Sequence, residues 1–261
     1  MANITAKTKE RLIAGIKKFQ PILSKCLDKD INESDTVTII ADMLTEVFGF
    51  DKYTEVTSEF AIKKTFCDLA VKVDNKVKML IEAKAIGLSL KDDHTKQAID
   101  YGANSGIDWV ALTNGITWKI YKVIFSKPIE RELVYEFDFT QLSHKKASDI
   151  EMLFYLTRES LMKSAGSNLD DLRSQKQLVN RFMVGQMLLS DTVLDTIRKV
   201  YKKMSPELKL QNEDIREIVE HEVIKRDVLD DEKAVAAKRQ IAKMEKSAAK
   251  PAPKKEKAGA E

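Results

Sequence analysis

The stretch that decides the fold reads FCDLAVKV at residues 66–73, DNK at 74–76 and VKMLIEAKA at 77–85. Apolar and polar residues alternate along the first and third segments, which is the period of a half-buried β-strand. The polar triplet between them is typical of a tight turn. The sequence therefore predicts two antiparallel strands joined as a hairpin.

The register of this hairpin is expected to bring two carboxylates together. A three-residue turn at 74–76 pairs Val73 with Val77. The same register places Asp68 directly across from Glu82, with their Cβ atoms about 4.5–5.5 Å apart. Like charges in opposed positions destabilise a sheet that has only a structural role, so the pair calls for a chemical explanation.

Metal binding is one such explanation. Two opposed carboxylates around Mg²⁺ form a set of hard oxygen ligands. Lys84, one step along the same face, can hold an attacking water or stabilise negative charge on a phosphate. The alternative is a solvated polar face on an exposed hairpin. Asp68, Glu82 and Lys84 are the candidate catalytic residues.

Other hairpin positions have less specific patterns. Cys67 is predicted to share the apolar face of Leu69 and to be a core residue. Lys72 and Lys78 are predicted to pair across the sheet on the face of the acidic residues. There they either contact phosphate or are solvated.

A helix predicted over residues 91–104 adds Gln97 and Tyr101, which are four residues apart and therefore share one face. An earlier helix, from about residue 32 to Gly49, carries Glu33 on its core-facing stripe. A glutamate there needs a partner, for which a shared metal ion is one choice and capping of the first turn is another.

Two further glutamates are alternatives for this third acid. Glu59 lies in the strand before Asp68 and could approach it if the turn at Lys63-Lys64 is tight. Glu46 lies on a different face of its helix from Glu33. We rank Glu33 first, then Glu59, then Glu46.

The whole chain gives an order of two helices, three strands, a helix, two strands and a helical C-terminal half. Helical patterns cover residues 8–27 (with Pro21 as a kink or break), 32–49, 91–104 and 147–245, and strand patterns cover 54–62, 66–73, 77–85, 107–113, 117–123 and, as an edge strand, 134–137. This order predicts an α/β (α+β) fold with a mixed central sheet flanked by helices. We divide the chain into an N-terminal helix (1–31), a sheet domain (32–140), a helical region (141–245) and a disordered basic tail (246–261).

Composition narrows the class of protein. The chain has 261 residues and a net charge of +3. The tail carries five lysines and two glutamates, so the remaining residues are neutral overall and any polyanion site must be local. Two cysteines cannot form a disulfide framework, and neither a signal peptide nor a membrane span is evident. A soluble cytoplasmic protein is expected.

Taken together, Asp68…Glu82-Ala83-Lys84, a preceding helix glutamate and a following Gln97-x-x-x-Tyr101 resemble the PD-(D/E)xK nuclease superfamily. Within it, the chain most resembles the N-terminal nuclease domain of type I restriction enzyme R subunits. The resemblance covers about residues 24–123, less than half the chain, and its other matching elements are Asn32-Glu33, Phe48-Gly49-Phe50, Cys67-Asp68-Leu69, Leu112-Thr113-Asn114-Gly115 and Trp118. Cys67 stands where the superfamily name has proline.

This resemblance implies an αβββαβ core and hydrolysis of DNA phosphodiester bonds that depends on Mg²⁺ (or Mn²⁺). It implies that Asp68, Glu82 and Glu33 are metal ligands and that Lys84 is the catalytic lysine. Gln97 and Tyr101 would then position DNA or the lysine.

The leading hypothesis is therefore a metal-dependent DNA endonuclease of the restriction-modification type. The sequence contains no G-x-x-x-x-G-K-[ST] phosphate loop, so no ATP-driven motor is expected. A catalytically inactive module on the same fold, which binds DNA or a protein partner, is the alternative. Action on RNA or single strands, a protein partner and a homo-oligomer stay open.

Overall fold

The predicted hairpin is the centre of a six-stranded sheet in the computed structural model, which describes residues 3–162 and 168–248. The chain forms two units, Met1–Arg173 and Ser174–Glu261. The elements before the division are α1 (Ala6–Asp28), α2 (Glu33–Glu46), β1 (Val56–Ile62), β2 (Thr65–Val73), β3 (Lys76–Ala83), α3 (Asp92–Ser105), β4 (Trp109–Thr113), β5 (Thr117–Ile124), β6 (Glu130–Asp138), a 3₁₀ turn (Phe139–Gln141), α4 (Ala147–Phe154) and α5 (Arg158–Leu161). The helix α6 (Asn168–Leu178) crosses the division.

The second unit is helical throughout its described residues. Its elements are α7 (Arg181–Leu188), α8 (Asp191–Met204), α9 (Asn212–Ile218), a π-helical segment (Val219–Val223), α10 (Arg226–Leu229) and α11 (Glu232–Ala248). Residues 249–261, which contain most of the predicted disordered tail, lie outside the described residues. Within the described ranges, no helix is long and apolar enough to cross a bilayer.

The sheet has the strand order β1-β2-β3-β4-β5-β6 and is mixed. Neighbouring strands are antiparallel except β3 and β4, which are parallel. Parallel neighbours need a crossover connection, and α3 supplies it. The predicted α/β class and mixed central sheet are confirmed. The last strand, β6, is longer than the predicted edge strand at 134–137.

Two apolar cores cover the two faces of the sheet. On one face α1 and α2 pack against side chains of β2 and β3 that include Leu69, Val71 and Ile81. On the other face α3 packs against a second set that includes Leu80 and Val110. Because both faces are covered, the central strands are buried on both sides, so the alternation seen in the sequence is only partial.

The hairpin turn differs from the prediction. Val73 pairs with Lys76 rather than with Val77, and the turn consists of Asp74 and Asn75 alone, with φ of +50° and +59°. Two left-handed residues form the two-residue turn whose twist matches the strands. A bulge then shifts the register by one residue, so Leu69 still pairs with Ile81 as the sequence predicts.

The bulge changes the surroundings of the lysines. Lys72 pairs with Val77, and Lys78 lies at the bulge, so the predicted Lys72–Lys78 pair is wrong. Cys67 belongs to the core beneath α3, not to the core that contains Leu69, so its predicted face is also wrong. Both errors come from assuming an unbroken two-residue period through an irregular strand pair.

The N-terminal helix packs on the sheet instead of forming a separate part. Its stripe Leu12, Ile16 and Leu23 joins the core that also contains Leu153 of α4. The first unit therefore extends to residue 173, whereas the sequence placed divisions at 31 and 140. Pro21 lies exposed inside α1 without ending it, because the buried stripe holds the helix on both sides of the proline.

Candidate active site

The candidate site lies where β3 ends. Glu82 is in the strand and pairs with Leu112 of β4, and the Lys84 backbone N–H donates to Thr113 O at 2.9 Å. The loop that follows is held by Asn114, whose Nδ2 donates to the carbonyls of Ile86 and Leu88 at 3.0 and 3.1 Å. The backbone around Lys84 is therefore fixed on both sides.

Lys84 contacts two of the predicted acids. Its Nζ lies 2.7 Å from Glu82 Oε1 and 3.7 Å from Glu33 Oε2. The Glu82 side chain is 2 % exposed and that of Lys84 is 9 %, whereas that of Glu33 is 48 % exposed. The site is thus a buried ion pair with a third, solvent-accessible carboxylate at its edge.

The Glu82 carboxyl group is buried and has a raised pKa. Within the described part of the chain its Oε2 is buried and has no hydrogen-bond partner. Burial raises its pKa from 4.5 to about 7, the charges of Asp68 and Glu33 act in the same direction, and the hydrogen bond from Lys84 opposes them. A carboxyl group whose pKa is raised to near neutral pH by burial and by neighbouring acids is a group suited to binding a cation.

Lys84 keeps its charge despite burial. Desolvation acts to lower its pKa, but the hydrogen bond to Glu82 and the charges of Glu82, Glu33 and Asp68 outweigh it, so the pKa is raised. The ammonium group is therefore protonated over the physiological range.

Asp68 lies beside this pair. Its Oδ2 accepts the backbone N–H of Ala83 at 2.8 Å. The ladder between β2 and β3 ends at the pairing of Leu69 with Ile81, and Asp68 contacts β3 through its bond to Ala83. The direct pairing of Asp68 with Glu82 stays a prediction. The hydrogen bond uses one carboxylate oxygen and ties Asp68 to the residue between Glu82 and Lys84.

Of the three glutamates ranked for the third acid, Glu33 is the one that reaches Lys84. Asn32 caps α2 by accepting the Asp35 N–H at 2.9 Å, which places Glu33 in the first turn. Glu46, at the other end of α2, forms an ion pair with Lys18. Glu59 is exposed on β1 with a φ of +47°.

The residues predicted to contact DNA are not in this cluster. Gln97 Nε2 donates to Tyr101 Oη at 3.1 Å on α3, so their shared face is confirmed. Among the described residues, neither has a hydrogen bond to Glu82 or Lys84. Lys72 Nζ lies 5.9 Å from the centre of the Phe60 ring, and Lys78 is half-buried at the bulge.

Sequence reasoning missed two neighbours of the site. Asn114 follows β4, and its side chain anchors the loop after Lys84. The Cys67 thiol lies against the strand of Glu82, where Sγ donates to Ile81 O at 3.4 Å, and burial raises its pKa to about 12. The Asn-Gly pair signals the turn, but no local pattern signals the loop contact.

Asp68 and Glu82 are the side chains of the site that could act as ligands of a hard divalent cation. Carboxylate oxygens are the ligands that Mg²⁺ takes, and Mg²⁺ is commonly held by one or two carboxylates while waters complete its shell. The buried, unpartnered Glu82 Oε2 is such an oxygen. In residues 3–162 and 168–248, no group of three or more His, Cys, Asp or Glu side chains is arranged to hold a metal ion.

Comparison with known proteins bears on this site. Residues 39–134 match the family model described as the type I restriction enzyme R protein N terminus. The matched segment contains Asp68, Glu82 and Lys84, and Glu33 lies before it. No curated protein and no solved structure matches the chain. The resemblance to the N-terminal domain of type I restriction enzyme R subunits is confirmed over this segment.

Proposed function

We propose that the chain is a metal-dependent deoxyribonuclease of the restriction type, which hydrolyses phosphodiester bonds in DNA. The observation that carries this proposal is the ion pair of buried Glu82 and Lys84 at the end of β3, with Asp68 and Glu33 beside it. The family match over residues 39–134 supports it. The order α2, β1, β2, β3, α3 and β4 also agrees with the αβββαβ core of PD-(D/E)xK nucleases.

In this proposal Asp68 and Glu82, with Glu33 at the exposed edge, hold Mg²⁺ or Mn²⁺. The ion supplies Lewis-acid stabilisation of the phosphoryl oxygens when bound. Glu82 contributes its unpartnered Oε2, and Asp68 is oriented for this role by the Ala83 N–H.

Lys84 acts through its positive charge. The raised pKa keeps the ammonium protonated, so it can orient a water molecule and offset the negative charge that develops on the phosphate under attack. It is rigidly placed, because its backbone is bonded to β4 and its side chain to Glu82. Gln97, Tyr101, Lys72 and Lys78 would contact or position the DNA.

We further propose that the protein works in the cytoplasm, without ATP, in restriction of foreign DNA. The match to the N terminus of an R protein implies contacts with DNA and with protein subunits. A homo-oligomer is an alternative form of such an assembly.

DNA cleavage tests the proposal. Supercoiled and linear DNA are incubated with the full chain in Mg²⁺, Mn²⁺ or EDTA, beside a Lys84→Ala protein, with and without ATP. We expect cutting in either metal, none in EDTA, none by the variant and no effect of ATP. RNA and single-stranded DNA run in parallel identify the preferred substrate.

A catalytically inactive binding module is the second candidate, and one observation favours it. Lys84 already neutralises Glu82, and the described residues contain no ready-made cluster of three metal-ligating side chains. An ion-pair cluster of this kind can be purely structural. DNA binding without metal-dependent cutting by the wild type would favour this candidate.

A further inference from the structure

The C-terminal half of α8 and the residues that follow it carry a local excess of positive charge in the second unit. Arg198, Lys199, Lys202, Lys203 and Lys209 lie within twelve residues that contain a single acid, Glu207. The four lysines are exposed. Because the chain outside its tail is neutral overall, this excess is a local feature rather than a consequence of composition.

Three arginines of the same unit are paired with neighbouring acids. Arg181, Arg198 and Arg216 each form an ion pair with an aspartate at 2.6–2.9 Å. In the part of the chain that the structure describes, none of the four lysines forms one, although the charge of Lys199 reaches Asp195. Their charge is therefore available to an external anion.

Three of these lysines share one side of the helix. Lys199 and Lys203 are one turn apart, about 6 Å along the axis, and Lys202 lies between them on the same side. Cations in a last helical turn complement the helix dipole, which accounts for Lys202 and Lys203 but not for Lys199 or Lys209.

Apolar side chains are exposed next to these cations. At the start of α8, Leu194 is fully buried. Further along, Val200 is 51 % exposed and Met204 76 %. A helix face that serves only solubility has no need to expose these side chains, whereas a surface that covers a ligand gains from apolar contact beside its charges.

We propose that the α8 face, defined as Lys199, Lys202 and Lys203, binds the phosphate backbone of duplex DNA. The inference rests on the proposed function, since that function supplies the polyanion. Lysines bind phosphates without reading the sequence, and each contact releases counterions. This face gives the chain affinity for DNA that does not depend on the candidate active site.

Fluorescence anisotropy of a labelled 30-base-pair duplex tests this inference. The full chain is titrated in EDTA at several salt concentrations. The test variant is Lys199→Gln/Lys202→Gln/Lys203→Gln. The matched control is Lys7→Gln/Lys9→Gln/Lys17→Gln on α1, which removes three exposed charges from another positively charged helix. Melting temperatures show that both variants fold.

We expect the α8 variant to bind at least 10-fold more weakly at 100 mM salt, while the control changes less than 3-fold. The slope of log affinity against log salt should fall by about 2.7, since each lost phosphate contact contributes about 0.9. Equal affinities for the α8 variant and the control, in a wild type that binds and cuts DNA, would reject the α8 face and leave the proposed function intact.

Two other outcomes also overturn the inference. A wild type that neither binds nor cuts DNA would remove the proposed function and this surface with it. If the α8 variant keeps its affinity for DNA but loses binding to vesicles containing anionic phospholipid, the face is a membrane surface.

Discussion

The Lys84 ammonium lies 2.7 Å from Glu82 Oε1, in a pair whose side chains are at most 9 % exposed. Burial of such an ion pair costs the desolvation energy of both charged groups. Replacement of the pair by apolar residues therefore often leaves the stability of a protein unchanged or increases it. The raised pKa of Glu82 reflects this desolvation cost. The proposed nuclease function gives this pair a role in addition to any contribution to stability.

Replacement of Lys84 should separate catalysis from binding. Lys84→Ala should lower the cleavage rate on the order of 10²-fold or more, because one electrostatic donor in the transition state is lost. DNA affinity should change little, since one lysine lowers the salt slope by about one. Single-turnover cleavage and anisotropy measure the two effects. Lys25→Ala on α1 is the control, and cutting by Lys84→Ala at the wild-type rate would place the catalytic centre elsewhere.

Glu33 and Glu46, at opposite ends of α2, serve as a test residue and its control. Glu33→Gln should reduce Mg²⁺-dependent cleavage about 10-fold or more, because it removes a carboxylate 3.7 Å from Lys84. Glu46→Gln should leave cleavage unchanged, since Glu46 is paired with Lys18 at the other end of the helix. Initial cleavage rates decide the matter. If only Glu59→Gln impairs cutting, Glu59 is the third acid.

Stability should depend on pH through Glu82. Its pKa of about 7 in the folded protein exceeds the ordinary 4.5. The folded state therefore binds the proton more tightly than the unfolded state, and stability is lost as pH rises from about 4.5 to about 7. Glu82→Gln removes this loss. Relative to wild type, the free energy of unfolding of this variant should rise by about 1–3 kcal/mol between pH 5 and pH 8. The corresponding rise in its relative melting temperature is a few degrees.

Glu159 supplies a control of opposite sign. Burial acts to raise its pKa, but the hydrogen bonds and charge of Arg11 outweigh burial, and the pKa is lowered. Its stabilising contribution is present above pH 4.5 and is lost as pH falls through the lowered value. Glu159→Gln should therefore lose more stability at pH 7 than at pH 4. The same pH trend in both variants would contradict the assignment of the shift to Glu82.

Divalent cation should stabilise the fold at the candidate site. Millimolar Mg²⁺ should raise the melting temperature of the wild type by mass action on the folded state. The rise should be larger at pH 8 than at pH 5.5, because ligand carboxylates must be deprotonated to bind. Asp68→Asn should fold and show a smaller rise. An identical thermal shift in the two proteins would exclude Asp68 as a ligand.

Packing of α3 on the sheet gives a prediction outside the site. A Cβ at Gly102 would lie 2.7 Å from Val110 Cγ2 and 2.8 Å from Ile107 O. Gly102→Ala should therefore destabilise the protein by about 1–3 kcal/mol, although alanine is the better helix former by about 1 kcal/mol. Urea denaturation measures the change. Lys96→Ala, at an exposed position of the same helix, should have little effect.

The sequence by itself determined the class of fold and singled out Asp68, Glu82 and Lys84, which lie together at the end of β3. Alternation within residues 66–85 located the hairpin, and its register predicted the pairing of Leu69 with Ile81. Both are local properties, since strand period and helix period act within one or two elements. For the same reason the shared face of Gln97 and Tyr101 could be read from four residues of spacing.

Only the tertiary structure decided how these elements meet. Two left-handed residues, Asp74 and Asn75, made the turn shorter, and a bulge compensated for it. The approach of Glu33 to Lys84 depends on how α2 packs against the sheet, and the pKa of Glu82 depends on burial by several elements at once. Such contacts join residues that are far apart in the chain. A local sequence pattern does not specify how close these residues lie in the folded structure.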